Sequence, residues 1–269
     1  MKNEDGERIL SASQINTYLA CPRKWYYEYV EELPKEETFA LVRGTVVHSV
    51  CEEFFDYKPP FGLPYREMVS QIRDRGNDLL DKLWSYHKVT KRFGDDQYNE
   101  TVNMIDRFVL LHKWKMDATF EKTGDPSKAW NWNVPRFREL HILNRELGVQ
   151  GYIDAVVDKG DDGIVLVDYK TSSIFKTPIS EDYSRQMYIY ALLYQRDTKS
   201  LPSYCELDFL RYGKSIAYPV RLEFLEEMEN LIHTVHRKIK KEGKENYPAN
   251  RAYRFCNWCD FKQTCANEP

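Results

Sequence analysis

Asp154, Asp168 and Lys170 fall on two consecutive strand-like segments, and that placement constrains the fold of this chain more than any other feature. Gly151 to Asp158 and Ile164 to Lys170 are rich in β-branched and apolar residues, and Lys159-Gly160-Asp161-Asp162-Gly163 between them carries turn chemistry. The three pieces read as strand, turn, strand, a hairpin. Because side chains alternate faces along a strand, Val165, Val167 and Tyr169 share one face, while Ile164, Leu166, Asp168 and Lys170 share the other. The second strand is therefore apolar on both faces until it ends by presenting Asp168 beside Lys170. Such charges are seldom buried without an ionic partner or a metal. Taken alone, the hairpin fits either a structural Asp-Lys pair closing a sheet edge or a metal site built on two carboxylates and an ammonium.

Flanking segments add to the second reading. In Phe39 to Phe55, apolar residues at 47, 50, 51, 54 and 55 form a helical stripe, with His48 at its border one turn before Glu52. A histidine there suits a satisfied core position as well as a ligand. In Glu181 to Tyr194, Gln186 and Tyr190 lie four apart on one helical face, although Met187, Tyr190, Ala191 and Tyr194 would also make an ordinary core stripe. The C-terminal run from Cys256 to Cys265 has C-x2-C-x5-C spacing, Cys256, Cys259 and Cys265, and a closed thiolate site needs a fourth sulfur. Cys21, in Cys21-Pro22-Arg23-Lys24-Trp25, is the natural candidate. Cys51 and Cys205 fall inside apolar patterns and read as buried thiols.

Taken in order, Gly44 to His48 (G-x-x-x-H), Gly151 to Asp154 (G-x-x-D), Asp168 to Lys170 (D-x-K) and Gln186 to Tyr190 (Q-x-x-x-Y) resemble the RecB-like branch of the PD-(D/E)XK nuclease superfamily. The resemblance implies an α/β, restriction-endonuclease-like core, a central mixed sheet flanked by helices, with a helical insertion and a C-terminal iron-sulfur segment. It implies that Asp154 and Asp168, with His48 and the Tyr169 carbonyl, hold Mg2+ or Mn2+, that Lys170 aligns or activates water, and that Gln186 and Tyr190 contact nucleic acid. The one-plus-three cysteine split, and the phrase from Ser11 to Trp25, resemble the AddB nuclease domain and the CRISPR-associated four-cysteine exonucleases. On that resemblance Cys21, Cys256, Cys259 and Cys265 carry a 4Fe-4S cluster; by ligand count alone zinc suits them equally. The implied activity is a metal-dependent DNA nuclease, a 5′ to 3′ single-stranded DNA exonuclease of CRISPR adaptation or DNA repair. Its partners would be single-stranded DNA or DNA ends and an integrase or helicase. Endonuclease or flap cleavage would use the same residues. The rival is a non-catalytic DNA-binding or docking module, disfavoured because a pure binder has no use for buried acids that repel phosphate.

A chain of 269 residues can bury one sizeable core, and no apolar run approaches the roughly 20 residues that cross a bilayer. With no signal peptide, it reads as cytoplasmic with no membrane association, and since two of its six cysteines, Cys51 and Cys205, fall inside apolar patterns, disulfides are disfavoured. The net charge of -3 argues against a protein that coats duplexes. Arg237, Lys238, Lys240, Lys241, Lys244, Arg251 and Arg254 offer a local basic track for nucleic acid, a modest hint, since a basic helix end is more often a solvated face. The expected organisation is a single nuclease domain: N-terminal helices to 58, a helical insertion at 59-130, the core sheet at 131-221, and the last helix and cysteines at 222-269. Within it, Ser13 is expected to cap a helix at 14-20 and Pro22 to open the next. A strand is expected at 133-143, where Glu139 and His141 fit either the site entrance or, the favoured reading, an exposed strand face.

Overall fold

The computed structural model describes residues 8-87, 94-173, 175, 178-252 and 256-266. Its helices are α1 (Ala12–Ala20), α2 (Pro22–Tyr29), α3 (Phe39–Phe54), α4 (Tyr65–Tyr86), α5 (Asp95–Thr123), α6 (Pro126–Asn131), α7 (Glu181–Thr198), α8 (Leu222–Ile239) and α9 (Lys262–Ala266). Its strands are β1 (Leu10–Ser11), β2 (Phe137–Asn144), β3 (Val149–Asp158), β4 (Ile164–Lys170), β5 (Tyr204–Phe209) and β6 (Lys214–Pro219). They form one mixed sheet in the order β1-β3-β4-β5-β6, with β2 also paired to β3. The β3-β4 and β5-β6 pairs are antiparallel and β4-β5 is parallel. A parallel neighbour needs a crossover, and α7 supplies it.

β4 is apolar on both faces because both are covered. Leu166 joins the core made with α1, α7 and α8, around Ile15, Leu192, Leu193 and Ile232. Val167 and Tyr169 join the core on the other face, made with α3, α4, α5 and α6, around Val50, Phe54, Ile105 and Phe108. The segment expected to be a helical insertion thus packs directly on α3 and the sheet. Cys51 and Cys205 are buried, one in each core. No described helix is long and apolar enough to cross a membrane.

Two element starts differ from the sequence reading. α1 is capped by Ser11, not Ser13: Ser11 ends β1 in extended geometry, and its hydroxyl accepts the Gln14 N–H at 3.2 Å. The strand expected from 133 begins at Phe137, because Asn133 still belongs to the turn after α6. Its side chain is buried and donates to the Ala129 carbonyl at 2.8 Å.

The face of the sheet under α5 holds a buried polar group. Lys115 pairs with Glu206 and with Asp208 at 3.1 Å. His112 lies one turn away, its ring edge-on to Phe54, Phe55 and Trp130. Burial, with Lys115 and Lys159 nearby, pulls its pKa down to about 3, so it is neutral in the fold.

Candidate active site

The β3-β4 ladder runs from Asp158↔Ile164 to Ala155↔Val167. Asp154 and Asp168 are the next residues in that register, so both carboxylates stand where the strands part. There Asp154 turns its Oδ2 to the Tyr169 backbone N–H, which donates to it at 2.7 Å. Gly151 and Ile153 pack toward α7, whereas Ala155 and Val157 pack on the opposite core. The face alternation therefore shifts by one at Asp154-Ala155, and Asp154 points away from α7. It is 8% exposed and Asp168 is 3% exposed.

His48, on α3, reaches the other oxygen of Asp154: Nδ1 lies 3.3 Å from Oδ1. The same nitrogen is 3.9 Å from Oε1 of Glu139. Since Arg138 pairs with Ala155 and Leu140 with Ile153, Glu139 stands across β2-β3 from Asp154. Two carboxylates facing each other across a ladder repel unless a cation lies between them. Glu139 also adopts φ 46°, a left-handed backbone that a non-glycine residue holds only at a cost. One ligand atom from each of His48, Glu139 and Asp154 lies within 4.8 Å of the others, a set that could hold a metal ion. The imidazole and carboxylate donors suit Mn2+ and, through the oxygens, Mg2+.

The charges bear on one another strongly. Burial alone would lower the pKa of His48, but Asp154, reinforced by Asp168 and Glu139, holds it up at about 9. Burial and the Asp154 charge raise Glu139 to about 7, with His48 opposing. Burial also raises Asp168, against the pull of Lys170. His48 and Lys170 supply positive charge to these three crowded carboxyl groups, and a divalent cation could take the place of the His48 proton among them.

Asp168 stands next to this trio and pairs with Lys170, Nζ to Oδ2 at 2.6 Å. Lys170 also donates to Gln186 Oε1 at 2.7 Å, and Gln186 donates to the Tyr190 hydroxyl at 2.9 Å. The Lys170 ammonium lies 4.7 Å from the Tyr183 ring centre. Gln186 and Tyr190 thus form a chain that aims Lys170. Tyr190 is buried over Gly151, where an added Cβ would come within 2.8 Å of the ring. Glycine in G-x-x-D is required by this close approach of α7 to β3. Tyr169 sends its ring to the opposite core, edge-on to Phe108 at 5.4 Å, while its N–H anchors Asp154.

Of the two readings of Glu139, the favoured one, an exposed strand face, is corrected: it is half-buried beside His48 and Asp154, at the site as the other reading has it. The signal was the four-residue turn at 145-148, which fixes the β2-β3 register and so sets Glu139 opposite Asp154.

The four cysteines singled out in the sequence come together at the far end of the chain path. Cys21 is the N-cap of α2, and its Sγ accepts N–H groups from Lys24 at 3.5 Å and Asn250 at 3.4 Å. Cys21, Cys256, Cys259 and Cys265 line one cavity of about 340 Å³. All are free thiols. In the basic track, Arg237, Lys238, Lys240, Lys241 and Arg251 are exposed, as a solvated face would be; Arg254 lies outside the described residues.

A mixed sheet with helices on both faces, and acidic side chains gathered where two central strands part, is a restriction-endonuclease-like fold with a candidate metal centre. The model of the PD-(D/E)XK nuclease superfamily matches residues 9–266, and the chain belongs to that superfamily. Its class is that of the metal-dependent nucleases, which act on nucleic acid. A solved structure titled "Crystal structure of SSO0001" is similar at 14% identity, covering 85% of this chain and 98% of that one, with a TM-score of 0.33. No curated protein matches the chain.

Proposed function

We propose that the protein is a RecB-like, metal-dependent deoxyribonuclease that degrades single-stranded DNA from an end, 5′ to 3′, and carries a 4Fe-4S cluster. The observation that carries the nuclease reading is the convergence of His48, Glu139 and Asp154 beside the Asp168-Lys170 pair. The branch, the polarity, a setting in CRISPR adaptation or DNA repair, and an integrase or helicase partner are supported by the order and spacing of the sequence motifs.

In this reading His48, Glu139, Asp154 and Asp168 hold Mg2+ or Mn2+, aided by the Tyr169 carbonyl. A divalent ion there supplies Lewis-acid polarisation of the phosphodiester and a bound water of lowered pKa. Asp154 is oriented by the Tyr169 N–H at Oδ2, so its Oδ1, which faces His48, is turned toward the metal set. Lys170, aimed by Gln186, places its ammonium where it can position the water and balance charge growing on the phosphoryl oxygens. Tyr190 fixes Gln186 and thereby acts through Lys170.

What supports an iron-sulfur cluster at the cysteines over zinc is the resemblance of the one-plus-three cysteine split, since by ligand count zinc suits four thiolates equally. The N–H groups directed at Cys21 Sγ suit a metal-bound thiolate of either kind. Joining Cys21 to the C-terminal cysteines closes nearly the whole chain into a loop, a structural role.

The test is end-labelled single-stranded DNA, 5′ and 3′ labels in parallel, with anaerobically purified protein and Mn2+, beside iron and zinc analysis. The reading expects early release of 5′-labelled short products and about four irons per chain. Early release of 3′ label would reverse the polarity, and stoichiometric zinc would replace the cluster. A folded protein that binds but never cuts DNA or RNA would leave a binding module.

A further inference from the structure

The face of the sheet that carries Glu139 and Asp154 continues outward to a pair of aromatic rings that the metal chemistry does not use. His141 and Tyr152 stand directly opposite each other across β2-β3. Each is two residues from a member of the metal set on its own strand, so all four share one face, with neighbours about 7 Å apart. The two rings are stacked, centres 4.4 Å apart and planes 17° from parallel. His141 is fixed from the side by Gln150, at 3.1 Å. Tyr152 is 53% exposed and His141 is exposed as well, so the pair covers none of the core.

In front of the tyrosine the molecule is open. Tyr152 lines, with His48, Glu139, Gly44, Thr45 and Ser49, a cleft of about 590 Å³. The α3 wall of this cleft carries Gly44, Thr45 and Ser49 beside His48 and Glu52, and its volume lies in the range of about 300 to 1,000 Å³ common for small-molecule sites. A cross-strand aromatic pair also steadies a sheet edge, by less than about 1 kcal/mol. That role gives no reason for the ring to border the cleft of the metal set.

The geometry points to Tyr152, backed by His141, as a stacking platform for one unpaired base of the substrate, next to the phosphate that is cut. This deepens the nuclease reading and rests on it. The ligand class is a single-stranded nucleic acid, because a base held in a duplex keeps both faces against its neighbours and has none to offer. The acidic cleft suits a base better than a phosphate: Glu52 and Glu139 border it, and a neutral ring meets them without repulsion. Tyr152 is then a substrate-positioning residue that favours single strands over duplex.

The test is kcat/KM with Mn2+ on single-stranded oligonucleotides in which one abasic residue is moved along the chain, for wild type, Tyr152→Ala and Tyr152→Phe. Wild type should lose about tenfold when the abasic residue reaches one particular position beside the cleaved bond. Tyr152→Ala should lose a similar factor on the intact strand and nothing further at that position, while Tyr152→Phe behaves as wild type. A wild type indifferent to abasic position, or losses in Tyr152→Ala that multiply with those of the abasic residue, would overturn the platform while leaving the nuclease reading intact. Absence of cleavage by wild type on any nucleic acid would remove both.

Discussion

The Tyr169 backbone N–H donates to Asp154 Oδ2 at 2.7 Å, tying the carboxylate of one strand to the backbone of the next at the point where their ladder ends. Asn can accept that bond and Ala cannot. Asp154→Asn should therefore be the more stable variant, by about 1 to 3 kcal/mol in urea unfolding, since Ala leaves a buried N–H without an acceptor. Both should bind Mn2+ at least about 100-fold more weakly than wild type, because losing a ligand exceeds the usual 10 to 100-fold cost of losing a ligand's support. Equal stability of the two variants would contradict the anchoring role.

Metal binding should be linked to protons. Without metal, His48 has its pKa raised to about 9 and Glu139 to about 7, so near neutrality the site holds protons that a cation must displace. The apparent Mn2+ affinity should rise with pH between about 7 and 9, by up to about tenfold per unit for one displaced proton. Calorimetry in two buffers of different ionisation enthalpy reads the released proton directly. An affinity independent of pH across that range would remove His48 from the metal set.

Much of this site was legible in the sequence, and the exceptions have physical causes. The period-two pattern of β4 separated Tyr169 from Asp168 and Lys170, because a strand buried on both faces leaves charges only where it ends. The place of Glu139 in the site is not legible in residue type, because it depends on the β2-β3 register and on a backbone twist at φ 46°. Tyr152 was missed for a related reason: beside Gly151 it reads as an ordinary strand aromatic until His141 is set opposite. The gathering of Cys21 with three cysteines from the other end of the chain has no local period to mark it; the need for a fourth sulfur suggests Cys21, and the family resemblance supports it. Tyr190 was read both as core and as a contact to nucleic acid; it is buried, and it reaches the site through its hydroxyl and Gln186.

Gly151→Ala should show how tightly α7 and β3 approach. The new Cβ would lie 2.8 Å from the Tyr190 ring and 3.1 Å from Leu193, so the helix must shift. A loss of about 1 to 3 kcal/mol is expected from such overpacking. In a Tyr190→Ala background most of that loss should vanish, a coupling that a double-mutant cycle measures. Additive losses would mean that Tyr190 is not what excludes a side chain at Gly151.

His112 should contribute to acid sensitivity. Its pKa falls from 6.5 to about 3 on folding, so the unfolded chain takes up its proton first. The stability it contributes is full above pH 6.5 and is lost as pH falls from there toward 3. His112→Phe keeps a ring of similar shape among Phe54, Phe55 and Trp130 and cannot be protonated. Below pH 6.5, wild type should lose stability relative to this variant by up to about 1.4 kcal/mol per pH unit. Parallel stability curves between pH 7.5 and 5 would place His112 in a solvated or hydrogen-bonded state.

Metal-dependent cleavage itself is the most direct test of the site. Single-stranded DNA would be incubated with wild type, Asp168→Ala and Lys170→Met, each checked for native circular dichroism, with Mn2+ and with excess EDTA. Wild type should cleave with Mn2+ and stop with EDTA, and both folded variants should be inactive under every condition. Undiminished cleavage by folded Asp168→Ala, or cleavage that survives EDTA, would mean that the chemistry is not performed by the carboxylates and lysine at the end of β4.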